Sequence, residues 1–418
     1  MRQRLTGLAG RFGRSTRSTS AFDEFRSLVD QRRLEEAVRI GEVILRRSPG
    51  DQRVRRTLAN CHARLGRHER ADEILRGGLS ERFLEGLAEP LAVVGRAIDP
   101  NAIAGAPEWM LLPKGVSNVC VVDHGLRDKG GFEYVTKVLR GTRRHKEVAF
   151  YESVRDWAPG IARIAPRMLM CQELPSLGVT LLSIEKVRGR LANHGDLSLA
   201  ADTSEVLSTH DLPPVLTPSP LARFVRDAMR RQEAWHRSRR IPLRETFSYV
   251  HQRSVNTRIL ERLEVACRAQ RWPSVALRVL QRLRRAVIGG GLHRQVVPKR
   301  DYGFVHGDFQ TANLILDEDD GRLRVLDWES YRFGPPAIDI AKFAGVGVPF
   351  SRIDSESRRR PCSDARAAMR ISLLTYALLV SWLVTLGPKA SDEVNRTHFS
   401  PALDRLESLS ASGWLRSS

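Results

Sequence analysis

The segment from residue 304 to residue 327 constrains this chain more than any other part of its sequence. An apolar run precedes Asp308, and Asn313 follows five residues later at the start of a second apolar run. The dipeptide Asp320-Gly321 is a strong turn signal, and residues 323–326 form a short strand-like run that ends at Asp327. The pattern predicts a β-hairpin that has Asn313 and Asp327 at the same end of its two strands, with Asp308 on the loop before it.

The three polar residues around this hairpin are of the kind that phosphoryl transfer requires. The transferred group concentrates negative charge, so such a site holds a divalent cation through oxygen ligands, and Asn313 and Asp327 supply those oxygens. An acceptor hydroxyl must also lose a proton, which a carboxylate such as that of Asp308 can take. The segment therefore predicts a magnesium-dependent phosphotransferase.

The same segment resembles the aminoglycoside phosphotransferase and choline kinase family. That family has His-Gly-Asp, four further residues and Asn, followed by a strand that ends in Asp-Trp-Glu, and residues 306–308, Asn313 and residues 327–329 match in that order. Residues 334–341 are similar to the Gly-x-Pro-x-x-Asp-Leu-Ala segment that comes next in the family. The resemblance covers roughly residues 110–390. It implies an α+β, two-lobed, protein kinase-like fold with a small β-sheet N-lobe and a mainly helical C-lobe.

The roles of the central residues follow from this resemblance. It implies that Asp308 is the catalytic base and that His306, which belongs to the same catalytic loop, braces it. It implies that Asn313 and Asp327 are ligands of Mg2+ and that ATP is the phosphoryl donor. Asp339 is interpreted as a structural cap rather than as a catalyst.

The nucleotide-binding residues are also implied by the resemblance. The cofactor-binding set is Ser117, Asn118, Lys137, Glu147 and Glu185. The first two belong to a short segment similar to the family's phosphate loop, where small residues let backbone N–H groups approach phosphate. The lysine lies on a predicted strand, and the glutamate at 147 resembles the helix residue that pairs with it, with Glu152 as the alternative. The glutamate at 185 lies in a segment that resembles the hinge contacting adenine.

Residues 21–90 carry a weak internal repeat. Residues 33–37 correspond to residues 67–71 at an offset of 34, with Ala37 and Ala71 at the same place in each unit. This period is that of the tetratricopeptide repeat, and two ordinary helical hairpins are the alternative interpretation. Because such modules usually bind proteins, we expect a protein partner here, and we expect the repeats to be dispensable for the chemical step.

The chain is predicted to divide into five segments. These are a basic disordered tail over residues 1–20, tetratricopeptide-like helical repeats over 21–90, a linker over 91–112, a kinase-like N-lobe over 113–187 and a C-lobe over 188–418 with its catalytic loop at 304–343. Prolines at 90, 100 and 107 mark the linker. A transit peptide is the alternative interpretation of the tail, which is rich in arginine and contains no acid.

The charge of the chain bears on its partners. The sequence has 68 Lys and Arg against 48 Asp and Glu, a net charge of +20, and residues 218–300, where the resemblance implies acceptor binding, are strongly basic. A pocket for a polycationic aminoglycoside should instead be acidic. We therefore expect the acceptor to be a hydroxyl of a small molecule or of a sugar or glycan precursor, neutral or anionic. Nucleic acid is not expected because the arginine runs are dispersed, whereas peripheral contact with an anionic membrane is compatible with the charge.

The cysteines and the longest apolar stretch indicate a cytoplasmic protein. Five cysteines lie far apart in the sequence, and an odd count without close spacing favours a reducing compartment. Residues 371–386 are apolar but short for a membrane span and contain four Ser or Thr residues. We expect a buried helix there and no transmembrane segment.

Two other functions compete with small-molecule phosphoryl transfer. In the first, the chain is a catalytically silent kinase-like scaffold that binds partners through its repeats, which the intact catalytic set argues against. In the second it is a protein kinase, which the sequence disfavours because no Ala-Pro-Glu segment follows Asp327.

Overall fold

A computed structural model describes most of the chain. The described residues are 19–100, 109–113, 118–141, 147–148, 150–152, 160–209, 253–289, 292, 296, 301–358 and 364–411. The chain forms two compact units, one of Met1–Arg143 with Met168–Lys186 and the other of Arg144–Arg167 with Val187–Ser418. Most of the predicted basic tail lies outside the described residues.

The first unit begins with five helices. They are α1 (Thr19–Asp30), α2 (Leu34–Arg47), α3 (Gln52–Arg64), α4 (His68–Arg76) and α5 (Glu81–Ile98). Asp51 caps α3 by accepting hydrogen bonds from the backbone N–H groups of Arg53 and Val54. Ala37 and Ala71, the small residues at equivalent repeat positions, are both buried in the helical core, which is where close helix packing requires small side chains.

The five-stranded sheet of the first unit is antiparallel throughout. Its strands are β1 (Met110–Leu112), β2 (Asn118–Arg127), β3 (Glu133–Arg140), β4 (Met168–Leu174) and β5 (Val179–Glu185), and they lie in the order β1-β2-β3-β5-β4. The β2–β3 hairpin contains the predicted strand that carries Lys137. Its turn is stabilised by Asp128, whose side chain accepts hydrogen bonds from the N–H groups of Gly130 and Phe132.

Helix α5 packs on this sheet and changes the predicted domain boundary. The predicted linker over 91–112 begins inside α5, which runs on to Ile98 in spite of Pro90. Leu87 and Leu91 are fully buried in one cluster with side chains of β1, β2, β3, β4 and β5. The spacing of apolar residues along α5 continues past the proline at helical intervals, and burial of that face outweighs the backbone hydrogen bond that proline cannot donate.

Helix α4 is also joined to β1 by polar contacts. Leu111 donates its backbone N–H to Asp72 Oδ1 at 2.7 Å. The Arg76 side chain donates to the carbonyl of Trp109 at 2.7 Å, and its guanidinium lies 4.1 Å from the centre of the Trp109 ring. The helical repeats therefore share a core and an edge with the sheet.

The second unit is mainly helical and contains two small antiparallel sheets. Its helices are α6 (Ile161–Ile164), α7 (Leu197–Thr209), α8 (Arg253–Ala269), α9 (Ser274–Arg284), α10 (Ala337–Ala344), α11 (Phe350–Arg358), α12 (Asp364–Leu386), α13 (Asp392–Val394) and α14 (Ser400–Ala411). Its strands are β6 (Gly189–Leu191), β7 (Gly303–Val305), β8 (Leu314–Asp317), β9 (Leu323–Val325) and β10 (Arg332–Gly334). One sheet has the order β6-β8-β9, and the other pairs β7 with β10.

Helix α12 contains the apolar stretch that the sequence singles out. Within the described residues, one stretch, Met369–Lys389, is long and apolar enough to cross a membrane. Of its most apolar window, 61% is buried inside the protein, and α12 packs against α10, α14 and α9. These contacts are those of a core helix.

Candidate active site

The catalytic loop leaves the buried strand β7 and is fixed at once by a buried carboxylate. The backbone N–H groups of His306 and Gly307 donate to the two oxygens of Asp339 at 2.7 and 2.8 Å. Gly307 has φ of 78°, a left-handed conformation that glycine adopts at little cost. Asp339 is fully buried in the first turn of α10, so its contacts agree with the interpretation of this residue as a cap.

His306 is fully buried beneath the loop. Its Nδ1 accepts a hydrogen bond from the backbone N–H of Asp308 at 3.3 Å, and its ring lies edge-on to Trp328 with centroids 4.8 Å apart. Burial lowers the pKa of His306 to about 4, against the nearby charges of Asp327 and Asp308, which raise it. A neutral, buried imidazole is suited to bracing the loop rather than to transferring protons.

The carboxylate of Asp308 is the centre of a hydrogen-bond network. Lys342 donates to Oδ1 at 2.6 Å, and Asn313 and Gln310 donate to Oδ2 at 3.0 and 3.1 Å. The side chain of Asp308 is 26% exposed, so it is held in one orientation but remains accessible. Such a carboxylate can accept a proton from a hydroxyl that reaches it.

Asn313 and Asp327 lie at the same end of one hairpin, as the spacing predicts. Leu314 pairs with Val325 across β8 and β9, and the N–H of Leu326 donates to the carbonyl of Asn313 at 2.8 Å. Asp327 has φ 64° and ψ 63°, which costs a non-glycine residue about 1–3 kcal/mol and tends to occur at functional sites.

The oxygen atoms of these two residues fit a hard divalent cation. Asn313 donates both of its side-chain hydrogen bonds through Nδ2, to the carbonyl and to the carboxylate of Asp308, so its Oδ1 is the atom suited to binding a cation. Among the described residues there is no group of three or more His, Cys, Asp or Glu side chains that could hold a metal ion. Magnesium is commonly bound by one or two protein oxygens together with phosphate oxygens and water, and the donor set fits that mode.

An aromatic cluster joins the predicted nucleotide-side helix to the catalytic hairpin. The buried Trp328 donates its Nε1–H to the carbonyl of Val325 at 2.8 Å and stacks on Phe150 with centroids 4.1 Å apart. Glu147, three residues before Phe150, is also buried. The stack therefore fixes the segment that carries Glu147 relative to Asp327 within the second unit.

The other predicted cofactor-binding residues belong to the first unit. Lys137 is buried on β3, opposite Val121 on one side and Leu182 on the other. Glu185 ends β5, opposite Tyr134.

Asn118 begins β2. Its side chain is buried, and its backbone carbonyl accepts a hydrogen bond from Arg56 of helix α3 at 3.2 Å. Ser117 lies outside the described residues. The nucleotide roles of Ser117, Asn118, Lys137, Glu147 and Glu185 stay predictions.

Two polar neighbours of Asp308 were not predicted from the sequence. Gln310 follows it by two residues, but a loop glutamine carries no distinctive signal. Lys342 lies three residues after Asp339 on α10, so the two share one face of the helix. That spacing, together with the cap at Asp339, is the available signal for a cation at the carboxylate of Asp308.

Comparisons with known proteins find two family models that match this sequence. The sequence model of the phosphotransferase enzyme family matches residues 202–370, and that of the tetratricopeptide repeat matches residues 28–83. These matches confirm the predicted phosphotransferase class and the helical repeat region. No curated protein sequence matches the chain.

Several solved structures are similar over most of their length. A complex of amicoumacin kinase with AMP-PNP, Ca2+ and its ligand has 15% identity and a TM-score of 0.40, covering 81% of this chain and 97% of that one. A choline/ethanolamine kinase family protein from Mesorhizobium loti has 14% identity and a TM-score of 0.39, covering 79% and 98%.

An ethanolamine kinase from Plasmodium vivax has 13% identity and a TM-score of 0.41, covering 84% and 96%. Similarities at this distance identify no acceptor. The match over residues 202–370 indicates a phosphotransferase, and the match over residues 28–83 indicates a tetratricopeptide repeat region before it.

Proposed function

We propose that this protein transfers a phosphoryl group from ATP, with magnesium, to a hydroxyl of a small molecule or of a sugar or glycan precursor. The observation that carries the proposal is the arrangement around Asp308. Its carboxylate is hydrogen-bonded to Asn313, whose backbone is in turn bonded to the residue before Asp327. A proton acceptor and two oxygen ligands for a cation thus come from one loop and one hairpin.

Asp308 takes the proton of the acceptor hydroxyl in this mechanism. The hydrogen bonds from Asn313 and Gln310 to Oδ2 hold the carboxylate plane, so that an incoming hydroxyl meets it in one geometry. Asn313 Oδ1 and the carboxylate of Asp327 would hold magnesium. ATP would supply the phosphoryl group and leave as ADP, and magnesium would neutralise part of the charge on the phosphates. His306 and Asp339 keep the loop backbone in place.

The nucleotide side of the proposal rests on family resemblance. Lys137 would contact the phosphates and Glu147 would pair with it. Ser117 and Asn118 would approach the phosphates through the backbone, and the segment at Glu185 would meet the base. The solved kinase and phosphotransferase structures include complexes with AMP-PNP and GDP, which supports nucleotide use without deciding between adenine and guanine.

The repeats and the cellular location complete the proposal. The tetratricopeptide match supports a protein partner for residues 28–83, in addition to the role of α5 in the sheet core. Cys61, Cys120 and Cys267 are buried free thiols, which supports a reducing, cytoplasmic location. The silent scaffold remains the alternative function, and it predicts binding of partners without turnover.

ATP consumption against a panel of hydroxyl acceptors tests the proposal. The panel contains sugars, amino alcohols, aminoglycosides and peptides, and product is identified by mass as the phosphorylated acceptor. We expect magnesium-dependent phosphorylation of at least one small-molecule acceptor. Lack of turnover by correctly folded protein with every acceptor, together with retained partner binding, would instead support the scaffold.

A further inference from the structure

An apolar cavity of the second unit is lined in part by Lys342, the residue that donates to the Asp308 carboxylate. Its volume is about 230 Å³, just below the range of about 300–1,000 Å³ that encloses whole drug-sized ligands. Residues of three helices line it, chiefly Ile259 of α8, Ile338 and Lys342 of α10, and Leu373, Ala377 and Val380 of α12. A space of this size suits one group of a ligand.

Lys342 connects the cavity to the chemistry. Its side chain lines the cavity, and its ammonium donates to Asp308 Oδ1 at 2.6 Å. A molecule seated in the cavity would therefore lie one lysine side chain away from the atom proposed to take the acceptor proton. This proximity distinguishes the cavity from a second apolar cavity of the same unit, which Leu197, Ile340 and Ile353 line.

The lining has a distinctive charge. Among the described residues that line the cavity there is no Asp or Glu, and the charged side chain is Lys342. The hydroxyl of Tyr376 is already engaged, because it donates to Asn256 Oδ1 at 2.9 Å. An ammonium group placed here would meet an apolar wall with no carboxylate in the lining, beside a lysine whose ammonium already contacts Asp308. An apolar group would be desolvated favourably.

We propose that this cavity is the acceptor subsite, and that it binds the apolar part of a hydroxyl compound that carries no positive charge. Lys342 orients the Asp308 carboxylate and attracts an acidic group on the acceptor. This inference rests on the proposed function and narrows it. It selects amphiphilic neutral or anionic alcohols over the polycations and amino alcohols that several structural neighbours are named for.

Equilibrium binding tests the inference without requiring turnover. The probes are octanoate, octanol and octylammonium, which share a chain length and differ in head-group charge, with butanol as a short-chain comparison. Binding is measured by calorimetry or ligand-observed NMR at low ionic strength, because Lys342 is 48% exposed and salt screens such charges. We expect octanol to bind at least tenfold tighter than butanol, and octanoate severalfold tighter than octylammonium.

Two cavity variants and one matched control locate the binding. Ala377→Phe fills the cavity and should weaken octanol binding at least tenfold. If that variant misfolds, Val380→Trp, one turn further along the helix, should have the same effect. Val384→Phe is the control, because Val384 is exposed on the same helix. Lys342→Met should keep octanol binding and remove the preference for octanoate over octylammonium. Lys342→Arg, which keeps the positive charge, should retain that preference.

Two results would overturn the subsite. One is octanol binding that is equal in the wild type and in folded Ala377→Phe. The other is octylammonium binding as tightly as octanoate to the wild type. Both are binding results, so they are distinguishable from a failure of the proposed function, which would appear as absence of ATP turnover with every acceptor.

Discussion

Substitution of Leu91 by alanine tests whether the repeats and the sheet fold as one body. Leu91 is fully buried where α5 meets the sheet, and buried Leu→Ala changes usually cost about 2–5 kcal/mol. A loss of about 3 kcal/mol should lower the Tm of a unit this size by about 6–12 °C. Leu58, buried among the helical repeats and away from the sheet, provides the companion variant Leu58→Ala.

Differential scanning calorimetry of the full chain, with and without ATP, gives the readout. If α5 and the contacts of α4 with β1 make a single cooperative unit, Leu58→Ala and Leu91→Ala should lower the Tm of the same transition. Addition of ATP should raise the Tm of that transition in both variants. Glu85→Ala changes a residue on the exposed face of α5 and should leave the Tm within about 1 °C of the wild-type value. A separate transition that Leu58→Ala alone moves, with the ATP-responsive transition unchanged, would refute the shared core.

Three further predictions concern single residues. Asp327→Ala should remove the dependence of ATP affinity on magnesium, and a calorimetric titration with an unchanged magnesium response would contradict its role. Asp339→Asn should lower the free energy of unfolding by about 1.5–3 kcal/mol, because two backbone N–H groups lose a charged acceptor. Turnover should fall together with stability, and a denaturant midpoint equal to that of the wild type would argue against the cap. Burial lowers the pKa of His124 to about 4, below its unfolded value of about 6.5, so stability that is full above about pH 6.5 should decline as pH falls toward 4. His124→Gln should flatten that decline in pH-dependent melts, and an unaltered profile would contradict it.

The catalytic hairpin was predictable because its information is local. The turn at Asp320-Gly321 and the alternation on both sides specify the β8–β9 pairing, and that pairing sets Asn313 beside Asp327. Elements that depend on a few neighbouring residues with strong turn or strand preferences can be derived in this way. The interpretation of Asp339 as a cap came instead with the family resemblance, because its contacts reach 32 and 33 residues back to the loop.

The parts that were missed depend on distant contacts. The predicted linker began too early because Pro90 is usually a helix breaker, and only packing on the sheet explains why α5 continues to Ile98. The contact of Lys342 with Asp308 and the stacking of Trp328 on Phe150 join residues that are far apart in sequence. The stacking pair leaves no local pattern in the sequence, and the spacing of Lys342 from Asp339 becomes a signal only once the place of Asp339 in the fold is known.

Turnover by Asp308→Asn tests the central claim most directly. Phosphorylated acceptor is quantified with saturating magnesium and ATP for the wild type, for Asp308→Asn and for Glu318→Gln, an exposed carboxylate on the adjacent hairpin turn. We predict that Asp308→Asn lowers kcat about 10²- to 10⁴-fold while its affinity for ATP stays near that of the wild type, and that Glu318→Gln is unaffected. A folded Asp308→Asn protein with wild-type kcat would contradict the account.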